Sequence, residues 1–566
     1  MDEITKIAPE IDALRQGMDW DKEDIGRKQI LIDTVFGDSH PGSVHLDRLA
    51  RMASDGIKYG GAKPSHFTVT DMCDGIAQGH EGMNYSLVSR EIIAGMVEIH
   101  ARANNFDGIV AISSCDKSVP AHLMALARLN KPSVFVPGGV MPFAGGGFTL
   151  EQIGAVSVRH AKGEITDAQF AACKADACPS CGACQFMGTA GTMQVLAEAL
   201  GLALPHSALA PANAKVIDDI AKASGKACLN LVHGNIRARD ILNEKALHNA
   251  IVIHGAIGGS TNALLHLPAI AHELGIELDM NRFDELHRKT PFLVNTRPVG
   301  KYSTELFWYA GGVPRVMSAL KDLLYLDALT VTGKTLGENL EDVAEELSRS
   351  ERYLDNYNIK RGDIIKPLAD HGAIAVLHGN IARDGAVLKY TALPASMQVF
   401  TGPARVFDDE LSARSAIIEK KVHPGDCIVI RYAGPKGSGM PEMFYTTEAL
   451  CADAELVSTT AIITDGRFSG ASRGPCIGHI SPEAAEGGDI ALIEDGDMIA
   501  INVPERTIDV VGVDLERRRA ERSHAAPQSG EPQTGEPQSG GSQTGGILGV
   551  YKKLAVSAMK GGYMNV

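Results

Sequence analysis

The sequence predicts an α/β protein: a large N-terminal α/β domain around a largely parallel sheet, followed by a smaller β-rich, barrel-like C-terminal domain. Three observations carry this. Apolar runs of strand length alternate with helical stretches through the first part of the chain, as in β–α–β units. From about residue 370 the chain becomes richer in Val, Ile and Gly, in short strand-like pieces. Glycine is abundant at 60 residues while aromatics make up only 5%. The glycines gather just after apolar runs, where chains turn close to ligands.

Residues 108–139 show the repeating unit. GIVAI reads as a buried strand, SSCDKSVP as a loop, AHLMALARLN as a helix, and KPSVFVPGG as a second strand ending in a turn. The segments 186–250 and 337–350 are Ala/Leu-rich and read as helices, which completes an α/β domain over 1–365. In the β-rich domain over 370–520, AIAVLHGN, GDCIVIRYAG, STTAIITDG, DMIAINVPE and TIDVVGV supply the strands. Residues 526–546 form a degenerate five-residue repeat without a large apolar residue and read as a flexible surface linker. Residues 547–566 read as a terminal helix docking back onto the body.

At 566 residues the chain has room for two to four domains, and 44% hydrophobic against 22% charged residues is enough to bury a core. Lys and Arg number 54 against 69 Asp and Glu, a net charge of −15. That balance argues against a nucleic-acid or anionic-membrane partner, either of which needs a basic face. No apolar run approaches the ~18–20 residues of a membrane span, and Met1 to Trp20 shows no charged-then-apolar signal pattern. The expectation is a soluble cytoplasmic protein acting on a small molecule. Ten cysteines are too few for a disulfide scaffold. Cys173, Cys178, Cys181 and Cys184 lie within twelve positions, a cluster that points to metal or redox chemistry.

The residues with chemistry sit in loops after apolar strands, where open α/β sheets bind ligands. FTVT leads into DMCDGIAQGHEGM, GIVAI into SSCDKS, CIVIRYA into GPKGSGMPEM, and STTAIIT into DGRFSGASRG. Together they bring Cys, Asp, Lys, Glu and Ser to one end of the strands. Cys178, Cys181 and Cys184 have C-x2-C-x2-C spacing, but the second CxxC of a zinc ribbon is missing. The fourth cysteine of a ferredoxin-type run would fall at Gly188. An iron–sulfur cluster on ligands from separate loops stays open, with Cys115 and Cys184 as candidates, as do ordinary free thiols.

These segments resemble the dihydroxy-acid and sugar-acid dehydratase family, which includes phosphogluconate dehydratase. The matching pieces are DMCDGIAQGHEGMNYSL, SSCDKSVPAHLMALARLNKPSVFVPGG, GACQFMGTAGTMQVLAEALGLALP, HGAIGGSTNALLHLPAIA, YAGGVPRVM, GNIARDGAVLK, GPKGSGMPEM and TDGRFSGASRGPCIGHISPEA. They run in family order from about residue 30 to 515. Motif wording around ACQFMGTAGT and LPHSALAP is closest to the aldonate branch, typified by xylonate dehydratases.

The resemblance implies an Fe–S cluster, 2Fe–2S ahead of 4Fe–4S, on Cys115, Cys184 and a third ligand. That third ligand normally comes from a Pro-Cys-Asn motif, whose place here reads His40-Pro41-Gly42-Ser43. Cys73 is the first substitute, with Cys181 or His40 as alternatives. It also implies Mg2+ on Asp74, Asp116, Glu442 and a carbamylated Lys117, with Ser469 as the base acting as an alkoxide. A serine is a poor base unless a nearby cation stabilises its anion. Asp74 and Asp116 could instead cap helices. The implied reaction is dehydration of a 2,3-dihydroxy acid such as D-xylonate or D-gluconate to the 2-keto-3-deoxy acid, by a homodimer or homotetramer. Two alternatives stand beside it: dehydration of 2,3-dihydroxyisovalerate in branched-chain amino-acid synthesis, and a non-catalytic Fe–S or redox-sensing protein.

Overall fold

A computed structural model describes residues 6–142, 148–161, 163–470, 474–525 and 545–566. The N-terminal sheet consists of β1 (Gln29–Thr34), β2 (Lys63–Thr68), β3 (Gly108–Ser113) and β4 (Ser133–Pro137). All its pairings are parallel, in the order β2-β1-β3-β4. β1, β3 and β4 are buried at every residue, the near-continuous apolar pattern of strands covered on both faces. Helices Leu46–Tyr59, Ser86–Asn104, Ser118–Leu129 and Lys215–Gly234 pack around this sheet, and Thr189–Ala199, Glu244–Ala256 and Ala263–Leu274 form a buried helical layer beside it. Because the strands are parallel, the loops after β1 to β4 all emerge at one end.

A short antiparallel pair, β5 (Phe292–Val294) with β6 (Ile365–Ala369), ties the helical region to the entrance of the second domain. There, β7 (Ile374–Gly379), β8 (Ala382–Lys389), β9 (Val399–Phe407), β10 (Cys427–Ile430), β11 (Ala461–Thr464), β12 (Cys476–Ser481), β13 (Met498–Asn502) and β14 (Thr507–Val511) close into a barrel. Small and branched side chains fill it, among them Ala375, Leu377, Leu388, Val429, Ile463 and Ile501. The sequence expectation had named five of these strands. It had not named β8, β9 or β12, whose Arg383, Asp384, Pro403 and His479 obscure the period-2 pattern; ladder pairing to neighbours holds them extended. β9 to β12 pair in parallel, so the loops after β10 and β11 leave the barrel side by side.

The expected linker falls on residues of which 526–544 lie outside the described residues. After it the α-helix runs over Gly546–Leu554, shorter than the sequence expectation, and the chain then turns back so that Ala555 bridges to Met564. Tyr551 is buried with Leu87, Val88, Leu265 and Met440. Arg90, fully buried, donates to the carbonyls of Gly561 at 3.0 Å and Gly562 at 3.2 Å. Among the described residues no helix is long and apolar enough to cross a membrane.

Candidate active site

Three acids from three loops meet between the two domains. Asp74 opens the turn after β2, Asp116 follows β3, and Glu442 comes from the loop after β10. One carboxylate oxygen from each lies within 4.8 Å of the others. Lys117, fully buried, donates from Nζ to Asp74 at 2.7 Å. Ser86 Oγ contacts both oxygens of Asp74, at 2.7 and 2.8 Å. Asn262 Nδ2 donates to Glu442 at 2.7 Å and Gln78 Nε2 at 3.2 Å.

Arg467, from the loop after β11, runs through the middle of this group without solvent exposure. Its Nε donates to the Met440 carbonyl at 2.7 Å, and one terminal nitrogen reaches Ser86 Oγ at 3.0 Å and Asp74 at 3.3 Å. The other terminal nitrogen pairs with Glu442. Carboxylates this close cannot all ionise without cations nearby. Burial, then the charges of Asp74 and Glu442, push Asp116 up to about 7 against the pull of Lys117. Asp74 meets the same burial, but Lys117, Arg467 and the hydrogen bond from Ser86 outweigh it and hold the acid below its ordinary value. A pocket of crowded oxygen donors fits a hard divalent cation such as Mg2+. The side chain of Asp74 is taken up by these contacts, not by helix-cap amides.

A second group begins one residue before Asp116. Cys115 is buried, and burial raises its thiol well above the ordinary range, with Asp71, Cys73, Asp116 and Cys184 adding to the effect. Cys184 is raised in the same way, with Cys73 again a contributor. Cys73, Cys115 and Cys184 therefore share one electrostatic neighbourhood. Cys178 is exposed, while Cys173 and Cys181 are half-buried. His40 Nδ1 is 3.8 Å from Cys115 Sγ, and its Nε2 is 3.6 Å from Asp71. Buried thiols ionise only beside positive charge, so soft donors gathered out of water fit an iron–sulfur cluster.

Ser469 is half-buried, two residues after Arg467. A Cβ on Gly470 would stand 2.8 Å from the Gly188 Cα, so this barrel loop seats directly on the start of helix Thr189–Ala199. Lys389 Nζ donates to the Gly470 carbonyl at 3.3 Å. The structure thus brings Asp74, Asp116, Lys117 and Glu442 together, and sets Cys115, Cys184, Cys73 and His40 beside them. Sequence reasoning had not singled out Arg467, Asn262, Ser86 or Asp71. Arg467 and Asn262 lie inside the quoted motifs GRFSG and GGSTN. An arginine or amide among glycines that the fold buries is the signal that could have found them.

The N-terminal domain of the dihydroxy-acid/6-phosphogluconate dehydratases matches residues 27–339, and their C-terminal domain matches residues 362–562. A dihydroxy-acid dehydratase of Caldicellulosiruptor saccharolyticus is 44% identical over 507 residues, covering 88% of this chain and 89% of the relative. Dihydroxy-acid dehydratase 1 of Methanosarcina acetivorans is 46% identical over 85% of this chain and 87% of its own length. The dihydroxy-acid dehydratase of Pyrococcus abyssi is 43% identical over 90% and 92%. With both domains matched and relatives this similar along most of their length, the chain belongs to the dihydroxy-acid/6-phosphogluconate dehydratase family.

Proposed function

We propose that this protein is a hydro-lyase that dehydrates a 2,3-dihydroxy carboxylic acid to the 2-keto acid, with 2,3-dihydroxyisovalerate as the favoured substrate. The carrying observation is the meeting of Asp74, Asp116 and Glu442 within 4.8 Å, with Lys117 and the Ser469 loop against them. Relatives named dihydroxy-acid dehydratase support the branched acid over the aldonate that motif wording suggested.

Asp74, Asp116 and Glu442 would hold Mg2+, with a carbamylated Lys117 as a further oxygen donor. Cys115 and Cys184 would hold the cluster. When bound, the two groups supply positive charge for the substrate's carboxylate and 2-hydroxyl and for the departing 3-hydroxyl. Asn262 and Gln78 keep Glu442 oriented by hydrogen bonds to its carboxylate. Arg467 ties the loop after β11 to Asp74 and Glu442, and Ser469 follows two residues later in that loop. Ser469 would take the proton from C2, a role a serine can fill only where a nearby cation stabilises its alkoxide. The Gly470 contact with Gly188 closes this side of the site. By family resemblance the enzyme works as a homodimer or homotetramer in the cytoplasm.

The test is a rate comparison on anaerobically purified protein with Mg2+, following 2-keto acid formation from 2,3-dihydroxyisovalerate, D-xylonate, D-gluconate and L-arabinonate. Preference for the branched acid supports the proposal, and preference for a sugar acid returns the protein to the aldonate branch. Absence of turnover by iron- and sulfide-loaded protein rejects the dehydratase reading in favour of a non-catalytic Fe–S protein. Ser469→Ala should abolish turnover with cluster absorbance unchanged; retained turnover removes Ser469 from the base role.

A further inference from the structure

We infer that His40 is a ligand of the cluster in this chain, a nitrogen donor on the same iron as Cys115, in place of the thiolate that position 42 does not supply. The inference rests on the reading of the cysteine pocket as an iron–sulfur site. Its first support is distance. His40 Nδ1 stands 3.8 Å from Cys115 Sγ. A sulfur at about 2.3 Å and an imidazole nitrogen at about 2.1 Å from one tetrahedral metal are about 3.6 Å apart. The two donors are therefore already spaced as ligands of a single ion.

The second support is the environment of the ring. His40 is 5% exposed, and its Nε2 has no hydrogen-bond partner among the described residues. The group facing that nitrogen is Asp71 Oδ2 at 3.6 Å. A metal-bound histidine commonly directs its second ring nitrogen at a carboxylate, which fixes the ring and raises its basicity. Asp71 has that position, and Ser118 Oγ donates to the same carboxylate oxygen at 3.0 Å.

The third support is the space around Gly42. A Cβ there would lie 2.2 Å from Cys115 Sγ, so in this arrangement no side chain fits between the turn and the sulfur. The turn is held from both cysteine-bearing loops: Gly182 N donates to the Pro41 carbonyl at 2.8 Å, and Ser114 Oγ donates to the Gly42 carbonyl. His40 is the side chain this clamped turn presents to Cys115. The compact donor group around Cys115 comprises His40 and Asp71 and contains neither Cys73 nor Cys184. With Cys184 carried over from the family resemblance, the ligand set is Cys115, His40 and Cys184, and His40 takes the place that Cys73 would otherwise fill. Neutral imidazole in place of an anionic thiolate makes the cluster less negative and easier to reduce, as in clusters where histidine replaces cysteine.

Pulsed EPR on the reduced, cluster-bearing full-length protein tests this, with iron and sulfide content measured alongside. The wild type should show a strongly coupled nitrogen that changes its pattern when the histidines are 15N-labelled. His40→Ala should lose that coupling and most of its iron and sulfide. His40→Cys should keep a cluster with a lower midpoint potential, and Cys73→Ser should keep the nitrogen coupling. A loaded wild type without strongly coupled nitrogen overturns the inference and leaves the cluster reading standing, whether or not the His40 variants fold. A wild type that binds no iron and sulfide after anaerobic reconstitution with ferrous iron and sulfide overturns both.

Discussion

Removing the guanidinium of Arg467 tests the charge balance of the acid cluster. With no divalent cation bound and Lys117 uncarbamylated, Arg467 and Lys117 are the cations paired with Asp74, and Arg467 also pairs with Glu442. Arg467→Met keeps much of the side-chain volume and removes the charge. Breaking a buried ion pair by deleting one partner costs about 3–5 kcal/mol, because the other charge stays buried without compensation. At 1.4 kcal/mol per decade this is roughly a 100- to 5,000-fold shift in the folding equilibrium. Mg2+ should restore part of it: a cation at about 100 times its Kd adds about 2.7 kcal/mol, and it is worth more to carboxylates that have lost their arginine. The assay is urea unfolding of both proteins in chelator and in excess Mg2+. The variant should have the lower midpoint in chelator and the larger gain from Mg2+. Equal midpoints and equal gains would refute the claim that Arg467 neutralises this cluster.

Other outcomes follow from the same geometry. In chelator, Asp116 is lifted to about 7 by burial and by the charges of Asp74 and Glu442. The folded state therefore keeps a proton that the unfolded chain releases near pH 4, and stability falls as pH rises between those values. Wild type and Asp116→Asn should match below about pH 4 and diverge up to about pH 7, with the variant the more stable; midpoints that run parallel across this range would contradict it. Gly470→Ala places a Cβ 2.8 Å from the Gly188 Cα, so the Ser469 loop must withdraw. A displacement near 1 Å costs on the order of 100-fold in rate, to be read as kcat with the unfolding midpoint as control. Tyr551→Phe removes the hydroxyl that donates to the Gly562 carbonyl at 2.6 Å. A loss of about 1 kcal/mol should speed amide exchange in residues 555–566 roughly fivefold, measured by mass spectrometry.

What the sequence determined by itself is what short windows carry. Apolar runs such as GIVAI and CIVI are buried strands in any arrangement, because no polar residue interrupts them. The glycine-rich loops that follow are turns, because little else bends so tightly. Motif spelling placed Asp74, Cys115, Lys117, Glu442 and Ser469 in the loops where they are found. It pointed to an aldonate where the names of the relatives favour the branched acid, because substrate contacts depend on which side chains face one another. Strands such as β8 and β9 are extended through their ladder partners and not through their own pattern. The same holds for the site. Arg467 reaches Asp74 across 393 positions of chain, and His40 reaches Cys115 across 75. Nothing local to either residue encodes these contacts. They exist because a parallel sheet and a closed barrel deliver their loops to a common edge, where buried charges and donors must find partners in one another.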